Sequence, residues 1–429
     1  MTIPLITSYT EFQQRLGYCK LLLAVSKRAA SQPEQVLRQL DHIFFKPTAD
    51  GHDTYLGQIL GKQVQVKTAH SHLRLHNSLA ETDSTTSLRS FGNEAKEILT
   101  LCRALGLVDD RVVILENAMP LIRLIPEASW DLVRQGLRPD EYNPLILDHG
   151  TSNVSEKTYF LIRLLSEDIA FTLLPLALRS KTRTAFHRYI DWDGLKTDDF
   201  PSNNMLTVVY EDLICSAKPR LFGEVRNAKN LDNYFLGDPR KRRTHPGMRQ
   251  YARFRHQATP RLAFLKELGI IASQPLPPPD SHLSKQYSYL LTPTTEAYVE
   301  YIRKTLLADG LDSEEFVRNH AFKIASIIYH RVTRRPVDQE EVFRYFLRAY
   351  VRLKRDMGNT PSGSICMLGC LLAQDDGLLI EIKEMHQVGR DYARKYSEFL
   401  RYSGGSIQLG DYLISVDHRL LQNLGIQNP

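Results

Sequence analysis

The sequence predicts a mainly α-helical protein with small β-hairpins, which is an α+β fold class. One observation is a helix ending of the form Leu-Gly-aliphatic, found at both Leu105–Leu107 and Leu268–Ile270 and each time followed by a short apolar run. A second is the helical spacing of apolar residues in segments 156–178 and 312–354. A third is Gly410-Asp411 between two alternating runs, which predicts a two-residue hairpin.

The composition is that of an ordinary globular protein. Of the 429 residues, 42% are hydrophobic and 24% charged, which excludes a wholly disordered or collagenous chain. No window approaches the roughly 18–20 apolar residues of a membrane span, and Met1–Glu11 lacks the order of a secretory signal. We therefore expect no membrane association and a cytoplasmic location, associated with the nucleoid if the source is a prokaryote.

In chain order, the region before Ser87 is mixed, with helices near 12–30 and 33–44 and a strand at 64–67. The first repeated pattern then runs through a helix ending at Leu105, a turn at Asp109-Asp110 and a strand at 112–115. These signals predict a helix followed by a very short strand pair.

The middle of the chain carries the clearest version of this pattern. Thr259 suits the N-cap and Pro260 the first position of a helix, which Gly269 ends. Strands are predicted from Ile270 and over Tyr287–Leu291, and Thr292-Pro293 begins another helix. The prediction is helix, hairpin, helix.

The C-terminal region predicts three helices and then a hairpin. The helices are expected over 365–373, 380–386 and 390–402. Strands are expected over 406–409 and 412–416.

The run Leu265-Lys266-Glu267-Leu268-Gly269-Ile270-Ile271, followed by Leu291-Thr292, resembles the second half of a winged-helix domain of MarR-like transcriptional regulators. The resemblance covers about sixty residues and implies tandem winged-helix-like units joined by helical segments, each with a recognition helix before its hairpin. The expected organisation is a mixed N-terminal region 1–88, winged-helix-like unit 1 at 89–150, a helical connector 151–235, unit 2 at 236–308, a basic helical connector 309–358 and unit 3 at 359–429.

Charge is concentrated locally. The chain has 55 Lys and Arg against 49 Asp and Glu, a net charge of only +6, yet the stretch from Arg240 to Arg261 contains no acid. Because phosphate neutralisation drives nucleic-acid binding, this stretch ahead of the unit 2 helix predicts a DNA contact, although a solvated loop is the alternative. Arg255 and Gln257 are the better candidates for base edges, since both residue types bond bidentately to purines.

A second basic row follows one face of the helix predicted over 340–355. Its arginines repel one another unless an anion lies across them or acids such as Glu340, Glu341 or the Glu314-Glu315 pair neutralise them. The residues predicted to bind DNA are, in full, Arg240, Lys241, Arg242, Arg243, Arg249, Arg253, Arg255, Gln257, Arg261, Arg344, Arg348, Arg352, Arg355, Arg394 and Lys395.

The sequence contains only weak signals of a catalytic or metal-binding site. Glu381-Ile382-Lys383 has the Glu-x-Lys form of a metal-dependent nuclease strand, but no Asp ends an earlier strand nearby. The histidines of 70–76 lack an orienting carboxylate, the five cysteines are scattered, and no nucleotide-binding loop occurs. We expect no catalytic residue, metal or cofactor.

The predicted function is therefore non-catalytic binding of double-stranded DNA by tandem winged-helix units, within a regulatory, maintenance or defence complex that includes protein partners. One alternative is a winged-helix protein-interaction subunit of a DNA-processing machine. The other is a metal-dependent nuclease.

Overall fold

The computed structural model describes part of the chain, and the account below is confined to it. The described residues are 6, 16–26, 98–125, 154–168, 171–172, 174–175, 258–275, 287–309, 313–330, 337–354, 360–403 and 413–426. The chain forms two compact units, one of Met1–Gln14 with Leu164–Phe316 and one of Arg15–Arg163 with Val317–Pro429. These are called the first and the second unit, and each is described by itself.

Helices dominate the described residues, and they are joined by short antiparallel strands. The mainly α fold class with small β elements is therefore confirmed. The helices are α1 (Tyr18–Ser26), α2 (Met119–Leu124), α3 (Val154–Glu167), α4 (Ala258–Glu267), α5 (Pro293–Asp309), α6 (Ser313–Tyr329), α7 (Gln339–Lys354), α8 (Ser362–Asp375), α9 (Ile382–Lys395) and α10 (His418–Asn423), with a further helical segment at 98–104. The strands are β1 (Ile271–Pro275), β2 (Tyr287–Leu291), β3 (Thr360–Pro361), β4 (Leu400–Ser403) and β5 (Leu413–Val416).

In the first unit, α4 leads into a hairpin and the hairpin into α5, as the sequence predicts. Gly269 ends α4 with φ 76°, a left-handed conformation that glycine adopts without strain. The Ile270 N–H then donates to the Leu265 carbonyl over 2.8 Å, which closes the helix end. β1 and β2 pair antiparallel from Ile271 opposite Leu291 to Pro275 opposite Tyr287.

The start of α5 is fixed by two threonines. The Thr295 N–H donates to Oγ1 of Thr292 over 3.1 Å, and the Thr292 N–H donates to Oγ1 of Thr295 over 3.0 Å. This reciprocal cap satisfies backbone donors that a helix start leaves without partners. The Thr295 hydroxyl also donates to the Ile270 carbonyl, which ties α5 to the strand that follows α4.

The second unit contains a three-stranded antiparallel sheet in the order β3-β5-β4. β5 is the central strand, with Ile414 opposite Thr360 of β3 and opposite Tyr402 of β4. Three helices accompany the sheet in the chain order α7, β3, α8, α9, β4, β5. The Val416 N–H donates to the Tyr350 hydroxyl over 3.2 Å, which fastens the central strand to α7.

The apolar faces of α7, α8 and α9 form the core of this part of the second unit. Phe346 of α7, Leu368 of α8 and Met385 of α9 are each completely buried. The ring centroids of Phe343 on α7 and Tyr392 on α9 lie 4.2 Å apart in a stacked arrangement. Burial of this apolar surface is the main term that stabilises the three helices against one another.

Two of the sequence expectations for this region are wrong. The helices predicted at 380–386 and 390–402 are one continuous helix, α9, because Gly389 lies in its buried face and packs there without breaking it. The end of the helix predicted at 390–402 instead belongs to strand β4, because Leu400 and its neighbours pair with β5. The strand predicted at 412–416 is confirmed as β5, whereas the one predicted at 406–409 lies outside the described residues.

The other predicted elements have mixed outcomes. The helix expected over 156–178 is confirmed as far as Glu167, and the helical segment expected over 312–354 is confirmed as α6 and α7. In the first repeated pattern, the strand expected at 112–115 is reduced to a single bridge between Val108 and Ile114. Val112 there has φ 62°, a conformation that a β-branched residue rarely adopts and that does not continue a strand.

Replacement of Gly389 by alanine tests the packing of α9. A Cβ at this position would lie 2.5 Å from Tyr402 Oη and 2.8 Å from Phe346 Cε2, so the buried Phe346 ring and the Tyr402 side chain must shift. Overpacking costs about 1–3 kcal/mol, more than the gain of about 1 kcal/mol expected from alanine in a helix interior. We expect Gly389→Ala to lower the free energy of unfolding, measured by urea denaturation.

The matched control is Gly369→Ala in the interior of α8. A Cβ there would first meet the end of the Met385 side chain, at 3.1 Å, and methionine adapts readily. We expect a smaller loss than at Gly389. Stabilisation by Gly389→Ala, or equal effects at the two positions, would contradict the packing described.

Candidate nucleic-acid interface

The outward face of α9 carries a row of mostly basic residues. Lys383, Gln387, Arg390 and Arg394 follow one another at i, i+4, i+7 and i+11, which places them on one side of the helix. Arg390 is half-buried and the other three are exposed. These four residues are called the α9 stripe.

The opposite face of α9 determines which way the stripe points. Ile382, Met385, Val388 and Gly389 are buried in the core of the second unit. Because this apolar face is covered by α7, α8 and β4, the stripe is turned toward solvent.

A hydrogen-bonded cluster lies within the stripe. The Gln387 side-chain amide donates to the Asp391 carboxylate, with Nε2 3.0 Å from Oδ1 and 3.1 Å from Oδ2. The Arg394 guanidinium also donates to Asp391, with Nη1 3.3 Å from Oδ1. One carboxylate therefore holds both a glutamine and an arginine in place on the exposed side of the helix.

Aromatic rings and a lysine occupy the end of α9. Lys395 Nζ lies 5.2 Å from the ring centroid of Tyr392 and 5.3 Å from that of Tyr396. Such cation–π contacts restrict the lysine while leaving its ammonium group in solvent. Arg394 and Lys395 are both predicted from the sequence to bind DNA. Both are exposed at the end of α9, just before strand β4.

The basic row on α7 is largely neutralised by acids. Arg344 pairs with Glu340 over 3.0 Å, one of the acids that the sequence nominated for this role. Arg348 pairs with Asp376 over 3.0 Å, and the Tyr345 hydroxyl donates to the same carboxylate over 2.7 Å. Burial raises the pKa of Asp376, but the hydrogen bonds from Tyr345 and Arg348 and the charge of Arg348 hold this pKa below its ordinary value.

Arg352 is the remaining described member of this row. Among the residues that the structure describes, no carboxylate lies within 4.0 Å of it. Partial burial and the neighbouring Arg348 lower its pKa, which is the repulsion expected of aligned arginines. Arg355 lies outside the described residues.

Arg261, predicted to bind DNA, is instead a core residue of the first unit. Its side chain is completely buried, with Nε 2.7 Å from Asp168 Oδ2 and Nη2 2.9 Å from Asp168 Oδ1. Nη2 also donates to the Ile6 carbonyl over 2.7 Å. A guanidinium enclosed in this way has no access to a phosphate, so Arg261 is removed from the interface.

From Pro260 onward, the other residues of α4 also lack an exposed polar face. From 260 to 268, every residue except Ala263 and Lys266 is buried. A helix that reads DNA needs a solvent-facing side, which α4 does not offer between 260 and 267, where its burial is described. The other predicted residues of the middle cluster lie outside the described part of the chain, namely Arg240, Lys241, Arg242, Arg243, Arg249, Arg253, Arg255 and Gln257.

The Glu-x-Lys motif lies at the start of a helix and not on a strand. Glu381 is the N-cap residue of α9, and Lys383 is exposed in its first turn. The Glu381 carboxylate accepts the backbone N–H of Phe322 over 3.1 Å and that of Lys323 over 2.7 Å. Both carboxylate oxygens are therefore engaged with α6, in a folding contact and not in the arrangement that the nuclease motif requires.

The sequence interpretation does not pair Gln387 with Asp391. Their i, i+4 spacing on one helix face was the available signal, since glutamine and aspartate so spaced form a hydrogen bond. The sequence predicts a break between these residues, so they are not expected on one helix, whereas α9 is continuous.

Comparison with known proteins places the chain in no family. No protein-family model matches it, and neither curated proteins nor solved structures give a significant match. Among the described residues, no group of three or more His, Cys, Asp or Glu is arranged to hold a metal ion. No helix within those same ranges has both the length and the apolar character needed to cross a bilayer.

Glu381 gives the second unit a predictable pH dependence. Burial raises its pKa from 4.5 to about 8, against the hydrogen bond from Phe322, which lowers it. Between these values the folded state holds a proton that the unfolded chain has released, so stability falls as pH rises through this window. The slope for one group is at most about 1.4 kcal/mol per pH unit.

We expect Glu381→Gln to flatten this slope between pH 5 and 8, because the amide does not titrate. Melting temperatures measured across that range provide the test, with Glu398→Gln as the control because Glu398 is exposed. An unchanged slope in Glu381→Gln, or an equal change in the control, would contradict the assignment to Glu381.

Proposed function

We propose that this protein binds double-stranded DNA without catalysis, and that the contact is made by a winged-helix domain spanning α7 to β5. The observation that carries the proposal is the order helix, strand, helix, helix, hairpin with the sheet order β3-β5-β4. In a winged helix, α9 takes the place of the recognition helix and the β4–β5 hairpin that of the wing.

The charge of α9 supports this role. The helix carries four cations, Lys383, Arg390, Arg394 and Lys395, against two acids, Glu384 and Asp391. Three of these cations belong to the α9 stripe. When a recognition helix lies in the major groove, residues on its outward face are close to the phosphates that line the groove. Lysine and arginine at these positions neutralise phosphates and release counterions, which supplies much of the affinity of DNA-binding proteins.

The sheet adds basic groups beside α9. Arg401 is exposed on β4, and Arg419 is exposed just after β5. Asp417 holds Arg419 in place, with its Oδ2 2.8 Å from the guanidinium Nη2. Contacts of this kind position a protein on the duplex backbone, while side chains in the groove select the sequence.

The proposal shifts the DNA contact from the middle of the chain to its C-terminal part. α4 is largely buried from Pro260 onward, and the first repeated pattern contains a single β-bridge in place of a strand pair. Neither feature therefore supports a DNA contact as the exposed cations of α9 do. Tandem winged-helix units, and a DNA contact by the basic stretch ahead of Arg261, stay predictions.

Binding to a random duplex of about 25 base pairs tests the proposal. We expect the double variant Lys383→Ala/Arg394→Ala to bind more weakly than the wild type, with a shallower dependence on salt. Each lost phosphate contact reduces the slope of log K against log salt by about 0.9. Fluorescence anisotropy between 50 and 300 mM salt (roughly the range over which such contacts weaken) measures both quantities.

The control is Lys304→Ala/Lys354→Ala, which removes the same charge from exposed positions on α5 and α7. We expect it to keep most of the wild-type affinity and slope. Equal losses in the two double variants would mean that only net charge matters, contrary to the proposed site. A wild-type protein that does not bind duplex DNA would contradict the function and favour the protein-interaction alternative.

A further inference from the structure

Gln387 is the one uncharged member of the α9 stripe, and its amide is oriented by the protein itself. Nε2 faces both oxygens of the Asp391 carboxylate, at 3.0 and 3.1 Å. An ionised carboxylate only accepts hydrogen bonds, so the nitrogen and not the oxygen of the amide must face it. The direction of the amide is thereby fixed before any ligand arrives.

The orientation leaves a defined hydrogen-bonding pattern toward solvent. The two N–H bonds of an amide diverge widely, so only one of them points at a single carboxylate. With the N–H trans to the carbonyl oxygen directed at Asp391, the other N–H of Gln387 and its carbonyl oxygen form one donor and one acceptor on the same edge of the amide. The side chain is exposed, so this pair is accessible from the outer side of α9.

We propose that Gln387 recognises an adenine in the major groove, and that Asp391 is a positioning residue for it; this inference rests on the proposed DNA binding. The major-groove edge of adenine offers an acceptor, N7, beside a donor, the N6 amino group. The free N–H of Gln387 matches N7 and its carbonyl oxygen matches the amino group. Guanine presents two acceptors there, so it repels the carbonyl oxygen.

The negative charge of Asp391 is compatible with this role. Arg394 lies 3.3 Å from the same carboxylate, and four cations of α9 outweigh its two acids. A carboxylate shared by Gln387 and Arg394 therefore orders two groups of the stripe at once. By orienting Gln387, the Asp391 carboxylate contributes to base preference, whereas its negative charge opposes phosphate binding. Base preference and affinity for random duplex are measured separately, so the two effects can be distinguished.

Selection of duplexes from a random pool by the full-length protein provides the test. We expect the wild type to select adenine at one position, and Gln387→Ala to lose that preference by roughly tenfold or more. Gln422→Ala, an exposed glutamine on α10, is the matched control and keeps it. Replacement of the selected adenine by 7-deazaadenine, which lacks N7, weakens binding of the wild type but not of Gln387→Ala.

Asp391 is tested through two variants. Asp391→Ala lowers the adenine preference while affinity for random duplex stays equal or rises, a combination that a loss of folding does not produce. Asp391→Asn restores part of the preference, because its amide oxygen still accepts from Gln387.

The outcomes distinguish the two proposals. Absence of duplex binding by the wild type overturns the proposed function and this inference together. Duplex binding with no adenine preference, or with a preference that Gln387→Ala retains, overturns the inference alone.

Discussion

The close approach of α9 to α7 and β4 is the constraint on which the functional surface depends. At Gly389 there is no space for a side chain, because the Tyr402 hydroxyl and the Phe346 ring occupy the position where a Cβ would lie. The same face of α9 buries Ile382, Met385 and Val388. An α-helix with one face held in this way has no freedom of rotation, so the residues of the α9 stripe are directed outward. The packing of the core thus decides which charges a ligand meets.

Burial also explains why charge in the sequence was a poor guide to the binding surface. Arg261 belongs to the most basic stretch of the chain, yet its guanidinium forms a bidentate pair with Asp168 inside the first unit. Removal of two charged groups from water is costly, and only close, complementary hydrogen bonds make it tolerable. On α7, arginines that look free in the sequence are neutralised by Glu340 and Asp376. On α9, Arg394 also pairs with a carboxylate, that of Asp391, while Lys383 and Lys395 are exposed.

Local signals in the sequence predicted local structure well. The helix ending at Gly269, the strand Tyr287–Leu291 and the helix start at Thr292-Pro293 each depend on residues that are close in the chain, and each is confirmed. The sequence predicts the sheet of the second unit only in part, because β3 pairs with β5 across about fifty residues and β4 forms only through its pairing with β5. No local preference in Leu400–Ser403 indicates that pairing, so this segment was assigned to a helix. The candidate site was likewise predicted only in part. Arg394 and Lys395 were among the predicted residues, but the Gln387–Asp391 pair was not.

The two basic rows of the second unit lie on different helices, which makes the central claim directly testable. The rings of Phe343 on α7 and Tyr392 on α9 stack where the two helices pack against each other. A photo-crosslinking amino acid placed at Gln387 or at Arg344 of the full chain, followed by irradiation with duplex DNA, distinguishes them. Crosslinking at Gln387 that exceeds crosslinking at Arg344 several-fold is the result the account predicts. Crosslinking confined to Arg344, or absent from both positions while the protein binds DNA, would contradict it.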